Sequence, residues 1–197
     1  MRVLVVAPTE REYRNISATI AGSQALRHSY NVICSGIGKA AAAATTAVAL
    51  AQAEQPYDMV AVVGFAAGSL GFRQGEVVCP STTRYHDCDV PEGFIPELTD
   101  PLALAGTEEV TVFTGDSFIN ARTAAEIKGR FGVERAIYDM EITAIKIAAQ
   151  LFGNLPVMAV KFISDVPEDG DTEHSYDAFA DAHSDFSPLL AKVEALG

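Results

Sequence analysis

Basic residues are scarce. Fourteen Lys and Arg stand against 26 Asp and Glu, a formal charge of −12 over 197 residues. Nucleic acids and anionic membranes are bound through basic surfaces, so this balance argues against both as partners. Cysteine is scarce too. Cys34, Cys79 and Cys88 are too few for a disulfide framework, and all lie in or beside apolar runs, which suits a reduced, cytoplasmic compartment. Long apolar runs are missing. The longest uncharged stretches, 40–53 and 60–72, fall below the roughly 18 residues of a spanning helix, and Val3 to Ala7 is too short for a signal-peptide core. Glycine (15) and proline (9) are near average usage, and no repeat or linker divides the chain, which excludes disordered and fibrous classes and leaves one soluble domain spanning 1–197.

What is present is alternation. Short β-branched runs at 3–6, 31–34, 59–63, 110–113, 136–138 and 157–162 read as strands. Between them, helical patterns begin near Thr9, run from the Ser35-Gly36-Ile37-Gly38 turn to about Ala53, and occupy 122–131 and about 140–151. Residues 76–79 and 82–85 read as two further strands separated by Pro80, 91–107 as loop, and about 186–196 as the last helix. Such alternation predicts an α/β fold: a single domain with a mostly parallel central mixed sheet, flanked by helices on both faces.

Ligand sites in such sheets gather at the carboxyl ends of strands. Glu10 and Glu12 follow the first strand, and Gly64 to Gly68 follow the third. The strand near 113 leads into Gly115-Asp116-Ser117-Phe118-Ile119-Asn120, that at 136–138 into Asp139-Met140-Glu141, and the last into Ser164-Asp165. Four of these five ends bring a carboxylate to one edge. Carboxylates in differing environments can divide the work of general acid and general base, although acids at these places also cap helices.

Ser35 to Ala41 formally fits the G-x-G-x-x-A dinucleotide fingerprint, but the next strand ends in Gly64-Phe65 without the acid that would hold a ribose. His86-Asp87-Cys88-Asp89 offers metal donors, yet on a strand they would alternate faces, and no second cluster completes a shell. The 169–173 acidic run lacks calcium-loop spacing and reads as solvated surface. No cysteine has a histidine partner suited to nucleophilic catalysis.

The ordered set Met1 to Glu12, Ser35 to Ala42, Arg84 to Val90, Gly115 to Asn120, Asp139 to Glu141 and Ile163 to Asp165 resembles the 5′-methylthioadenosine/S-adenosylhomocysteine nucleosidases of the nucleoside phosphorylase superfamily. The likeness spans most of the chain and is weakest at 91–110 and over the last twenty residues. It implies hydrolysis of an N-glycosidic bond with release of adenine, a small nucleoside as the only ligand, no metal or organic cofactor, and a homodimer.

On this resemblance Glu12 activates the attacking water, and Asp165, supported by Ser164, protonates the departing adenine. Glu141 holds the ribose hydroxyls with Met140 packed on the sugar. Phe118 stacks on the base, Ile119 reads its edge through backbone groups, and Ala66, Ile37 and Tyr176 complete the pocket, Tyr176 on the 5′ side. An acid that must keep its proton near neutral pH requires a raised pKa for Asp165.

Phosphorolysis would call for arginines that clamp an oxyanion. Here 8–12 and 62–66 hold only Arg11, which should point away from Glu12 on a helix. The chain departs from the family pattern at Phe65, Ala67 and Lys161, and in a shortened 91–110 region, where Phe94, Ile95 and Pro96 could form an apolar lid. These departures keep two alternatives open: a nucleosidase for another 5′-modified nucleoside such as futalosine, and a non-catalytic nucleoside-binding protein.

Overall fold

A strand that is apolar without alternation must be covered on both faces. β1 (Arg2–Ala7) meets that condition, with Val3 to Val6 removed from solvent between two parallel neighbours, β2 (Ser29–Cys34) and β3 (Met59–Gly68). In this computed structural model, which describes residues 1–91, 94–170 and 172–196, the remaining strands are β4 (Val77–Val78), β5 (Pro80–Tyr85), β6 (Leu102–Ala103), β7 (Glu108–Thr114), β8 (Ala136–Asp139) and β9 (Val157–Asp165). The helices are α1 (Glu10–Gly22), α2 (Lys39–Ala51), the single turn α3 (Pro96–Thr99), α4 (Ala121–Phe131), α5 (Ile142–Gln150), α6 (Thr172–Ala182) and α7 (Ser187–Glu194), with a 3₁₀ turn at Pro167–Asp169.

β3 organises the sheet. β9 runs parallel along one edge of it, while the other edge is shared by β1 and, at Ala67 and Gly68, by antiparallel β8. From β8 the sheet continues through β7 and β5 to the short β6, and β4 closes the β9 side. The alternation of strand side chains builds two apolar layers. Leu4, Val6, Val60, Val62 and Ile163 face Ala42 and Leu50 of α2 and Ile142 and Ile145 of α5. Val3, Val5, Ala61, Val63 and Phe162 face Ile16 of α1, Phe179 of α6, Leu189 and Leu190 of α7 and Phe186, which caps α7. A smaller cluster packs α4 on Phe113 and Tyr138. The single-domain α/β architecture, mixed sheet and two helical layers are those the sequence predicts.

Four local readings are corrected. β3 does not stop at Val63 but continues to Gly68, because β9 and β8 supply partners for its last residues. The 91–107 segment is not all loop: α3 and β6 form there, β6 pairing antiparallel with β5. Residues 86–89 lie in a bend beyond β5, so strand alternation does not apply to the His86 to Asp89 donors. Finally, α6 was not foreseen. Its polar composition hides an apolar i, i+3, i+4 set, Tyr176, Phe179 and Ala180, that docks on the sheet. The acidic run at 169–173 falls largely on side chains outside the described residues, as does the side chain of Pro96.

Phe65 sits at the centre of an aromatic cluster, with ring centroids 5.4 Å from Phe186, 5.8 Å from Phe179 and 6.1 Å from Tyr176. Phe186 is fully buried and joins α7 to this cluster. Phe186→Ala is expected to cost about 3–5 kcal/mol, measured by urea unfolding, because the ring's contacts cannot be replaced by collapse.

Candidate active site

The cleft lies at the carboxyl ends of β1, β3, β7, β8 and β9, and the strand-end residues singled out from the sequence converge there. Glu12, Ile37, Ala66, Phe118, Ile119, Met140, Glu141, Ser164, Asp165 and Tyr176 all line it. Phe94 and Ile95 do not line it, and Phe94 is 75 % exposed, so within one chain these residues form no lid.

Glu12 is held on three sides. Thr9 caps α1, and its backbone N–H and hydroxyl donate to Glu12 Oε2 at 2.9 and 2.7 Å, while Glu12 N–H returns a bond to Thr9 Oγ1 at 3.2 Å. The other oxygen, Oε1, accepts from Phe65 N at 2.8 Å. Space for it exists only because residue 64 is glycine: a Cβ there would lie 2.1 Å from Glu12 Oε1. A carboxylate has about four lone-pair sites, so three donors fix its orientation and leave capacity for one more.

Asp139 and Glu141 stand side by side at the end of β8. Asp139 accepts Thr114 Oγ1–H at 2.6 Å, and its other oxygen accepts the N–H groups of Glu141 (3.2 Å) and Ile142 (2.8 Å), which fixes the start of α5. Glu141 Oε1 accepts Gly38 N–H at 2.9 Å. Burial, then the negative charge of Asp139, push Glu141 up to about 8, opposed by Lys161 and the Gly38 bond. Burial also raises Asp139, again against Lys161.

Asp165 sits at the last residue of β9. Burial raises its pKa, the direction required of an acid that keeps a proton, and the Ser164 hydroxyl opposes that shift. Ser164 Oγ is 2.6 Å from Asp165 Oδ1 and 3.2 Å from Ala66 O. Its single proton can serve one acceptor at a time. Donated to Ala66 O, it leaves Asp165 to hold a proton of its own. Above these acids the rim is apolar: Phe118 and Ile37 are each 60 % exposed, and Phe118 meets Tyr176 edge-on at 6.0 Å.

Several members of the site were missed. Pro8, Thr9, Ser117, Tyr138 and Asp139 line the cleft beside Phe65 and Ala67. Thr9 and Glu12 form a capping box, a T-x-x-E signal legible in the sequence. Lys161 is fully buried behind Asp139 and Glu141, and its Nζ has no hydrogen-bond partner among the described residues. A lone cation inside the apolar run 157–163 was its signal. Among the described residues that line the cleft none is basic, and Arg11 turns away to pair with Asp181 at 2.9 Å.

The profile of the phosphorylase superfamily matches residues 6–195. The chain belongs to this superfamily. A curated superfamily relative, the 5′-methylthioadenosine/S-adenosylhomocysteine nucleosidase of Haemophilus influenzae (strain 86-028NP), is 33 % identical, covering 92 % of this chain and 84 % of its own length. Among solved superfamily structures, the S-adenosylhomocysteine nucleosidase from Streptococcus pyogenes, in complex with 5-methylthiotubericidin, superposes with TM-score 0.83 at 21 % identity, over 100 % of this chain and 98 % of that one. A futalosine hydrolase mutant of Helicobacter pylori superposes with TM-score 0.80 at 19 % identity, over 98 % of both chains. These likenesses establish the fold. No helix among the described residues is long and apolar enough to cross a membrane.

Glu141 yields a test that needs no ligand. In the folded chain it keeps its proton to about pH 8, whereas unfolded it releases it near the ordinary value of 4.5. Between those limits the unfolded state binds fewer protons, so this group makes the protein less stable as pH rises. Glu141→Gln removes the penalty. Its Tm relative to wild type should therefore climb between pH 5 and pH 8, by about 3 °C or more in thermal unfolding.

Proposed function

We propose that the protein is a hydrolase of N-glycosidic bonds in 5′-modified purine nucleosides, of the 5′-methylthioadenosine/S-adenosylhomocysteine type, releasing adenine. The observation that carries this reading is the convergence of three buried carboxyl groups, Glu12, Glu141 and Asp165, from three strand ends onto one cleft with an exposed aromatic ring at its rim. The curated relatives named as nucleosidases support it.

In this reading Phe118 stacks on the purine, and backbone groups at Ile119 read its edge. Glu141 accepts the ribose hydroxyls, with Met140 against the sugar. Glu12, fixed by Thr9 and Phe65 N–H, uses its remaining lone pair to orient water below the anomeric carbon. As the bond from C1′ to N9 breaks, its electron pair flows into the purine, and Asp165 delivers its proton to N7. Positive charge develops on the sugar, where Glu12 offsets it. Water adds to C1′ and its proton passes to Glu12. Atoms and charge balance with no metal or further cofactor, by the paired-carboxylate logic of glycoside hydrolysis. Water is favoured over phosphate because the described residues of the cleft present no guanidinium to an oxyanion.

The 5′ side is framed by Ile37, Phe118 and Tyr176, an apolar set suited to a thioether. We read 91–110 as a shortened connection, which leaves this side open to larger groups such as that of futalosine. We further read the protein as a cytoplasmic homodimer. The outward face of α2 supports a dimer: Ala40, Ala41, Ala44, Val48 and Ala51 are exposed along one stripe with no charged residue between. Light scattering should give twice the 20.9 kDa chain mass.

The activity is tested with methylthioadenosine, adenosylhomocysteine, futalosine and inosine, with and without phosphate, by measuring free base. Adenine release from the first two, independent of phosphate, is expected. Glu12→Gln and Asp165→Asn should each lower kcat/KM by about 100-fold to 10,000-fold. Base release that requires phosphate, or wild-type rates in either variant, would overturn the assignment.

A further inference from the structure

Phe118 is carried on a loop, 115–120, between β7 and α4, and its ring is mostly exposed. A loop held only by its ends would leave that ring free to swing away from the cleft. Instead the loop is tied to two other segments by a charged network. Lys39, the first residue of α2, places its ammonium 2.8 Å from both oxygens of Asp87 and 3.4 Å from Asp116 Oδ2. Asp87 Oδ2 also accepts the backbone N–H of Asp116 at 3.0 Å, and Asp116 Oδ1 accepts the backbone N–H of Lys39 at 2.9 Å. Lys39 Nζ lies 5.2 Å from the centroid of the Tyr85 ring, the last residue of β5.

The same α2 terminus faces the sugar side of the cleft. Gly38 caps α2 without a side chain to offer, and its N–H goes to Glu141 Oε1. The amides of the cap and of the first residue of α2 are thus divided between two carboxylates, one in the cleft and one in the loop that bears Phe118. Both gain from the positive end of the helix. Gly38 has φ +91°, and a Cβ on it would come within 3.2 Å of Asp116 Oδ1, so glycine is what lets the two segments meet.

We propose that Lys39, Asp87 and Asp116 form a clasp that fixes the 115–120 loop, and Asp87 is a positioning residue that sets base affinity through Phe118. Asp87 touches neither the cleft nor its reacting atoms; among the described residues its bonds go to Lys39 Nζ and Asp116 N–H. It joins the bend after β5 to both of the segments that flank the ligand. The affinity part of this proposal rests on the nucleosidase reading; the loop part does not.

Hydrogen exchange separates the two. In Asp87→Ala, amides of 115–120 should exchange about 10-fold faster or more, with β1, β3 and β9 unchanged. KM for methylthioadenosine should rise about 10-fold while kcat stays within about 2-fold, because base binding weakens and the carboxylates at the sugar are untouched. Asp87→Glu, which keeps the charge, should recover most of the affinity. In a Phe118→Ala background, Asp87→Ala should add no further rise in KM, since the ring through which it acts is gone. Unchanged exchange at 115–120 overturns the clasp. Faster exchange with unchanged KM, or a KM rise that persists without Phe118, overturns the positioning role. A wild-type protein that releases no base from any nucleoside overturns the nucleosidase reading instead, and the exchange result then decides the clasp alone.

Discussion

Negative charge taken out of water is costly, and four carboxyl groups are buried at one edge of this sheet: Glu12, Asp139, Glu141 and Asp165. Each is made tolerable in a different way. Glu12 receives three hydrogen-bond donors. Asp139 receives a hydroxyl and two backbone N–H groups. Among the described residues Glu141 has a single donor, Gly38 N–H, with Lys161 behind it, and its pKa rises to about 8. Asp165 receives the Ser164 hydroxyl, and burial raises it as well. Burial pushes a carboxyl toward keeping its proton and hydrogen-bond donors oppose that push; at Asp139, Glu141 and Asp165 burial prevails.

This arrangement constrains the sheet as much as the chemistry. Residue 64 must be glycine because Glu12 Oε1 occupies the place of its Cβ, and β3 must remain extended there because Phe65 N–H points at the same oxygen. β3 therefore runs past the end of β1 as a single element to Gly68. Its side chains there serve both purposes: Ala66 and Ala67 open onto the cleft, while Phe65 reaches into the aromatic cluster of α6 and α7.

The sheet and most of the cleft were legible in the sequence because the site residues other than Tyr176 follow apolar runs, and period and position are local properties. Glu12, Glu141 and Asp165 could be named from that placement together with the family likeness. What escaped was decided by distant partners. The extension of β3 depends on pairing with β8 and β9, and the docking of α6 on an apolar triplet diluted among acids. Lys161 looks like an interruption of β9 until Asp139 and Glu141, twenty residues upstream, are seen beside it. The His86 to Asp89 run, weighed as a metal-binding strand, proves to be a bend whose Asp87 answers Lys39.

The cleft has two halves of unequal rigidity. One half is built on strand ends and buried carboxyls, held by donors that range from the Phe65 N–H of β3 to the Gly38 N–H before α2 and the Ser164 hydroxyl. The other half is built on two loops and on α6, with Phe118 and Ile37 open to solvent and Tyr176 only half-buried. In the hydrolase we propose, chemistry at the glycosidic bond falls to the first half, which tolerates little change because burial makes any lost hydrogen bond costly. Recognition of what lies beyond the sugar depends on the second, where apolar contacts can be exchanged at small cost. On the reading proposed above, a scaffold divided in this way keeps one bond-breaking centre while its choice of 5′ substituent can vary, because the second half has no buried carboxyl among its described residues to hold in place.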